Sequence, residues 1–170
     1  MKTLLSNGKL ADTFQLTPED VTIDILSHGL ANINRYSGHT LHPYSVAQHS
    51  LVLTQICEPG LEKAALLHDA AEMFIGDIPY PMKKALGEAY DEIEEDLNRQ
   101  IFDIWGVPYS LMMELEDLDR QVCINEMRDF FPEGSVDYAD AIPNLRILPI
   151  NWYEAKHQYY HTFKRHFLAH

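Results

Sequence analysis

The amino-acid sequence predicts an all-α protein of about six helices in one compact domain over residues 1–170. Apolar side chains recur at a spacing of three and four residues over most of the chain, and cap residues or prolines precede several of these runs. Only the first sixteen residues suggest strands, as one short pair. With 46% hydrophobic residues, a chain of 170 residues can bury roughly two thirds of its unfolded surface.

The first two helices are predicted from their start and stop signals. Thr17 and Pro18 match a cap and a first helical position, so a helix is expected from there to about Ser37-Gly38. Ser45 is the expected cap of a second helix, which ends at Pro59-Gly60. The apolar pattern of this second helix places His49 on its inward side.

Four more helices follow, each with an apolar stripe. They are expected from about Leu61 to the segment 76–81, from about Glu88 to Trp105, from Pro108 to the irregular stretch 131–149, and from the cap Asn151 to about Phe167. The acidic residues of the Glu88–Trp105 helix lie opposite its apolar face, which indicates a solvated surface.

Charge narrows the classes of partner. The chain has 26 acidic and 13 basic residues and a formal net charge of −13, which repels the phosphates of DNA and RNA. We therefore expect no nucleic-acid polymer as partner. A small anionic substrate would need a local cation to overcome the same repulsion.

Cysteine content and the first residues predict a cytoplasmic protein without a membrane partner. Cys57 and Cys123 stand among apolar residues at helical spacing, which indicates reduced core thiols rather than a disulfide framework. The apolar start 1–5 gives way at once to Ser6-Asn7-Gly8, and is too short for a signal peptide or a membrane span.

The pair His68-Asp69 is the strongest functional signal. It lies in the otherwise apolar run 64–71, and side chains of consecutive helical residues point about 100° apart, so both cannot occupy one apolar stripe. An unpartnered buried carboxylate costs several kcal/mol, on the order of the penalty for any unpaired buried ion. A divalent metal would remove that cost.

Inward ionisable side chains also occur on two other predicted helices, at His49 and Asp119. Two imidazoles and two carboxylates form a ligand set that suits Mn²⁺, Fe²⁺, Co²⁺ or Zn²⁺. Each residue alone fits a partnered core histidine or a helix-end acid, but the four together favour a metal site. His157 and His161 also have helical metal spacing, but no Glu follows the first His and basic residues surround them, so a packing helix is expected there.

The order His49, His68-Asp69, Asp119-Arg120 in an all-helical chain resembles the HD-domain metal-dependent phosphohydrolase superfamily. The resemblance is closest to the small branch with bacterial 5′-deoxynucleotidases and phage deoxyadenosine-triphosphate triphosphohydrolases. Motifs that carry it are Ile33-Asn34-Arg35-Tyr36, Tyr44-Ser45-Val46-Ala47-Gln48-His49-Ser50, and Ala65-Leu66-Leu67-His68-Asp69 with Glu72, Gly76-Asp77 and Pro79. It implies an HD-type helical bundle with a divalent-metal cofactor, Co²⁺, Mn²⁺, Zn²⁺ or Mg²⁺, whose identity stays open.

The resemblance also implies catalytic roles. A bound metal would polarise a phosphoryl oxygen and lower the pKa of water, from about 15.7 toward about 7 in the zinc case. Glu72 follows His68 by four residues on the same side of the helix, so it can accept a proton from that water. Asp77 would donate a proton to the departing sugar oxygen, and a loop aspartate that caps the next turn is the alternative.

Substrate-binding roles follow in the same way. Arg35 would supply a two-pronged phosphate contact and Tyr36 an aromatic face beside the nucleoside. Lys83, His39 and Gln48 are further candidates for phosphate contacts. Pro79 would pack on the sugar or the base.

The sequence thus predicts a metal-dependent enzyme that removes phosphate or triphosphate from the 5′ position of deoxynucleotides, with water attacking phosphorus. The bond cleaved and the preferred base stay open. The alternative is an HD-type module that senses a nucleotide with little turnover, although sensing needs neither Glu72 nor Asp77. A cyclic-dinucleotide phosphodiesterase is disfavoured because the chain has no Gly-Tyr-Pro run, and the family analogy predicts a homo-oligomer.

Overall fold

The computed structural model describes residues 2–135 and 137–168 and is mostly helical. The helices are α1 (Ile23–Asn32), α2 (Val46–Ile56), α3 (Glu62–Leu67), α4 (Glu72–Ile75), α5 (Tyr80–Leu86), α6 (Glu88–Ile104), α7 (Ser110–Met113), α8 (Glu116–Phe130) and α9 (Trp152–Phe167). None of these helices combines the length and the apolar character needed to span a membrane.

The expected strand pair is confirmed near the start of the chain. Strands β1 (Lys2–Leu4) and β2 (Leu10–Asp12) run antiparallel, with Thr3 opposite Ala11. Leu5 and Ala11 form a small satellite cluster with Ile25 of α1. The hairpin therefore packs against the helices rather than forming a sheet of its own.

The main core lies where α1, α2, α3 and α9 meet. Leu30 of α1, Leu53 of α2, Leu66 of α3 and Phe163 of α9 are completely buried there. Each such side chain stabilises the fold by roughly 1.5–3 kcal/mol relative to an exposed one. The Tyr159 hydroxyl of α9 donates a hydrogen bond to the carbonyl of Leu66, so a buried hydrogen bond joins α9 to α3 in addition to their apolar packing.

Helices α2 and α9 begin where the sequence predicts. The Ser45 hydroxyl accepts a hydrogen bond from the Gln48 N–H at 3.2 Å, and the Asn151 side chain accepts one from the Glu154 N–H at 2.9 Å. Each cap satisfies one N–H that has no partner within the first turn of its helix.

The first predicted helix is shorter than expected. Residues Pro18–Asp20 form a separate 3₁₀ turn, and α1 ends at Asn32 instead of continuing to Ser37-Gly38. The reason is that the chain after α1 pairs with the start of α2: the Ile33 carbonyl accepts from the Val46 N–H at 3.0 Å. A second turn then follows at 35–38, in which Tyr36 and Ser37 adopt positive φ angles of 55° and 52°.

The predicted helix from Leu61 is divided into α3 and α4. Between them the N–H groups of Ala70, Glu72 and Phe74 bond to carbonyls only three residues back, so the chain winds more tightly at 68–71. His68 and Asp69 therefore lie on a tightened turn rather than in a regular helix. The helix predicted from Pro108 is likewise divided, into α7 and α8.

Helix α5 was not predicted: it begins at the end of the segment 76–81, which was expected as a break, and continues through residues 82–86, to which no helix was assigned. Pro81 stands in its first turn, where proline is tolerated, and Gly87 at φ 68° ends it. None of its residues is buried, and its main packing partner is α6. The ion pair between Lys83 Nζ and Glu94 Oε1, at 2.7 Å, ties the two helices together.

The irregular chain before α9 is held by side chains of α8 and α2. The Asn125 amide bonds to the backbone of Ile142 and Leu145, and the Gln48 amide bonds to the backbone of Leu148 and Ile150. These contacts satisfy backbone groups that have no helix or sheet to pair with.

A glycine sets the distance between α1 and α4. A Cβ built on Gly29 would lie 3.1 Å from the Cβ of Met73, which is fixed to the α4 backbone. The glycine therefore lets α4, which carries Glu72, lie close against α1.

We expect Gly29→Val to lower the free energy of unfolding by about 1–3 kcal/mol, the usual cost of overpacking. Gly29→Ala adds only the Cβ and should cost less. Urea unfolding followed by circular dichroism measures both variants. A Gly29→Val protein as stable as the wild type would contradict the close approach.

Candidate metal centre

His49 is held in one orientation by a buried carboxylate. It is completely buried on α2, and its Nδ1 lies 2.5 Å from Glu126 Oε1 on α8. A carboxylate oxygen accepts, so Nδ1 carries the hydrogen and Nε2 faces the opposite way. There Nε2 lies 3.0 Å from both His68 Nε2 and Asp119 Oδ1.

His68 is fixed by its own backbone. On the tightened turn after α3 its Nδ1 donates to the Ala65 carbonyl at 2.8 Å, which leaves Nε2 as the free ring nitrogen. Asp69 Oδ2 lies 3.1 Å from His68 Nε2 and 3.5 Å from His49 Nε2. The neighbouring imidazole and carboxylate therefore reach the same point despite their different directions on the chain.

His49, His68 and Asp119 form a group that could hold a metal ion. One ligand atom from each lies within 4.8 Å of the others, and Asp69 adds a second carboxylate beside both imidazoles. In their neutral forms the two histidines would direct lone pairs at each other across 3.0 Å, which is repulsive unless a cation or a proton lies between them. The chemistry of this donor set fits a divalent metal.

The two aspartates of the group have lowered pKa values. Burial alone would raise the pKa of Asp69, but His68, His49 and Arg35 outweigh it and hold that pKa well below its usual value. Asp119 also has a lowered pKa, because its bond to His49 outweighs the effect of burial. Both acids therefore remain anionic, as metal ligands must.

His49 shows the opposite shift in the absence of a metal. Burial and the nearby Arg35 lower its pKa, but Glu126 and Asp119 outweigh both and raise the pKa to about 10. The surrounding negative charge thus demands a positive charge at this point.

Glu126 is a buried partner of the candidate site that the sequence analysis missed. Its Oε1 accepts from His49 and from the Tyr44 hydroxyl at 2.8 Å, and its Oε2 accepts from the Tyr36 hydroxyl at 2.6 Å and from Arg35 Nε at 3.2 Å. Burial raises its pKa, but Arg35 and His49 outweigh this and lower it.

A signal for Glu126 was present in the pattern of α8. It follows Asp119 by seven residues and precedes Phe130 by four, which places it on the inward face of the helix. An acid at such a position needs a buried partner.

Arg35 is more enclosed than the sequence suggested. Its NH1 lies 3.3 Å from Asp69 Oδ2, its Nε and NH2 each lie 3.2 Å from Glu126 Oε2, and NH2 also contacts the Cys123 sulfur at 3.2 Å. Its positive charge is thus shared between two carboxylates. Tyr36 stands beside it, with its ring edge against Phe131.

A cavity of about 450 Å³ opens next to the histidine group. Most of the predicted site residues line it, together with Arg120 and apolar side chains of the 78–81 segment. The lining consists of Arg35, Tyr36, Asp69, Glu72, Asp77, Ile78, Pro79, Tyr80, Pro81, Lys83, Asp119, Arg120, Cys123 and Met127.

Glu72 has an unsatisfied oxygen in this cavity. The side chain is 3% exposed, and its Oε2 has no hydrogen-bond partner among the described residues. Burial and the charges of Asp69 and Asp77 raise its pKa well above the usual value. Burial and Asp69 also raise the pKa of Asp77, although Arg35 opposes them.

Four predicted site residues lie outside the cavity lining: the candidate ligands His49 and His68, which adjoin it through Asp69 and Asp119, and the expected phosphate contacts His39 and Gln48. His39 is exposed on the surface. Gln48 is buried, and both ends of its amide are bonded to the backbone of residues 148 and 150. Its position next to His49 in the sequence does not bring it to the cavity, because adjacent helical residues point in different directions.

Comparisons with known proteins give relatives without an assigned function. No family model matches the chain. It is 37% identical over 111 residues to an uncharacterized protein of Rhodobacter capsulatus, a match that covers 60% of this chain and 57% of that protein. It is 33% identical over 115 residues to the uncharacterized protein YfdR of Escherichia coli K12, covering 68% and 64%. The matches span less than two thirds of each relative's length.

We expect Mn²⁺ at about 100 times its Kd to raise the free energy of unfolding by about 2.7 kcal/mol, since a ligand stabilises the state that binds it. His68→Gln should abolish this gain. His161→Gln, on the exposed side of α9, should retain it and serves as the control. Calorimetric titration and thermal unfolding measure both effects. Equal loss in the two variants would argue against the centre.

Proposed function

We propose that this protein is a divalent-metal-dependent phosphohydrolase that removes phosphate or triphosphate from the 5′ position of deoxynucleotides. The observation that carries the proposal is one cavity lined by the buried Glu72 and by Asp69 and Asp119, the two carboxylates that contact the converging His49 and His68. The resemblance of the motifs around these residues to HD-domain phosphohydrolases supplies the reaction class.

His49, His68, Asp69 and Asp119 would hold the metal. When bound, a divalent metal polarises a phosphoryl oxygen and makes water more acidic, which favours attack on phosphorus at neutral pH. The four side chains come from α2, the turn after α3, and α8, so the site is assembled by the packing of these elements.

Glu72 is the proposed general base. Its raised pKa makes the ionised carboxylate a stronger proton acceptor than an ordinary glutamate. Within the described part of the chain its Oε2 has no hydrogen-bond partner, so this oxygen is available to accept a proton.

Asp77 is the proposed proton donor to the leaving oxygen. It lines the same cavity after the Gly76 turn, and its raised pKa favours the protonated form that such a donor needs. Because both pKa values are raised, the two roles are assigned by position: Glu72 follows the His68-Asp69 pair by one helical turn and would accept the proton of the attacking water, and Asp77 would donate one to the leaving oxygen.

Arg120 is the cavity cation best able to meet a phosphate. Among residues 2–135 and 137–168, the ion pairs of its guanidinium are long ones of 3.8 Å and 3.7 Å, with the exposed Asp117 and Asp140. Arg35 is engaged with buried carboxylates, and Lys83 is paired with Glu94 at 2.7 Å. A phosphate would therefore displace the weakest partners by binding at Arg120.

The apolar side of the cavity suits a nucleoside. Ile78, Pro79 and Tyr80 line the cavity, as does Tyr36. Aromatic and apolar surfaces with few polar groups are typical of small-molecule sites, and here they adjoin the charged half.

The direct test is a hydrolysis assay with all four deoxynucleoside mono-, di- and triphosphates, in Co²⁺, Mn²⁺, Mg²⁺, Zn²⁺ or chelator. We expect nucleoside to be released only with metal, and the co-product, phosphate or triphosphate, identifies the bond cleaved. Tight nucleotide binding without turnover under every metal would instead support the sensing module.

We expect Glu72→Gln to retain metal binding and to lower kcat by about 100-fold to 10,000-fold, the usual contribution of a general base. Glu92→Gln, an exposed change on α6, should leave kcat unchanged and serves as the control. Metal analysis of the purified proteins accompanies the kinetics. Wild-type turnover in Glu72→Gln would exclude the assigned role.

A further inference from the structure

Glu126 lies behind the candidate metal centre and is joined to it through His49. The carboxylate is completely buried, and each of its two oxygens accepts two hydrogen bonds. Its hydrogen-bonding capacity is therefore well satisfied within the protein. Of its partners, His49 is itself a proposed ligand, and Arg35 contacts the proposed ligand Asp69 at 3.3 Å.

The geometry points to Glu126 as the positioning residue for His49. The 2.5 Å contact keeps the hydrogen on Nδ1 and therefore keeps the lone pair on Nε2, where the candidate ligands converge. A carboxylate behind an imidazole also makes the opposite nitrogen more basic and prevents the ring from rotating. This inference rests on the metal site of the proposed function.

The other hydrogen-bond partners of Glu126 fix the position of its carboxylate. The Tyr44 hydroxyl bonds to the same oxygen as His49, while Tyr36 and Arg35 bond to the other. Tyr44 lies in the segment that leads into α2, and Arg35 in the turn that follows α1. Because donors from separate segments fix both oxygens, Glu126 can orient His49 without moving in response to it.

Glu126→Gln keeps the shape of the side chain and removes its charge. We expect it to weaken Zn²⁺ affinity by about 10-fold to 100-fold, the typical effect of losing an outer-shell partner. Tyr44→Phe removes a hydrogen bond to Glu126 Oε1, the oxygen that also contacts His49, but leaves the contact with His49 in place. The Zn²⁺ affinity of Tyr44→Phe should therefore stay near that of the wild type. Competition with a chelator measures Zn²⁺ affinity without any hydrolysis assay.

Proton NMR of the Zn²⁺-bound protein supplies a second readout. A hydrogen bond as short as 2.5 Å should give the His49 Nδ1–H a strongly downfield resonance, present in the wild type and in Tyr44→Phe and lost in Glu126→Gln. The wild-type spectrum tests the inference even if Glu126→Gln fails to fold.

The outcomes separate this inference from the proposed function. Absence of Zn²⁺ binding to the wild type would overturn the metal site itself. Zn²⁺ binding without the downfield resonance, or with equal affinity loss in Tyr44→Phe and Glu126→Gln, would overturn only the positioning role. Zn²⁺ binding in Tyr44→Phe with selective loss in Glu126→Gln would support it.

Discussion

The candidate centre depends on one buried negative charge. Taking a carboxylate out of water costs several kcal/mol, and this cost is met at Glu126 only because donors from three parts of the chain converge on it. The turn at 35–38 supplies Arg35 and Tyr36, the approach to α2 supplies Tyr44, and α2 itself supplies His49. The same bonds that make this charge tolerable bring α8 to α2 and so bring Asp119 to the histidines.

The negative charge of the chain affects which ligands the cavity can bind. Four carboxylates line it, and the whole protein carries a net charge of −13. An anionic substrate would be repelled by this field, so binding requires positive charge at the point of contact. Such charge would come from Arg120 at the surface and from a cation bound at the buried histidine group. Repulsion elsewhere would favour the release of anionic products.

Much of the arrangement could be predicted from sequence because helical periodicity and caps are local. The starts of α2 and α9, the extent of α6, the first hairpin and the inward direction of His49 all follow from nearby residues. The divided helices could not be predicted, since the tight turn at 68–71 depends on how α3 and α4 pack. The end of α1 was missed because Ile33 pairs with Val46, a contact between distant residues. Glu126 was missed for a related reason, because a lone acid on a helix face gains meaning only from the partners that surround it.

The elements that line the cavity differ in how tightly they are packed. Its inner side is lined by residues of α8, by Asp69 on the turn after α3 and by Glu72, and these elements also contribute Ala70 and Val122 to the main core. In contrast, α5, which carries part of the outer side, has no buried residue and lies between Gly76 and Gly87, both at positive φ. Local unfolding starts where few apolar contacts oppose it, so hydrogen exchange in α5 should be faster than in α2. A displacement of α5 would therefore admit a ligand without moving the candidate metal ligands.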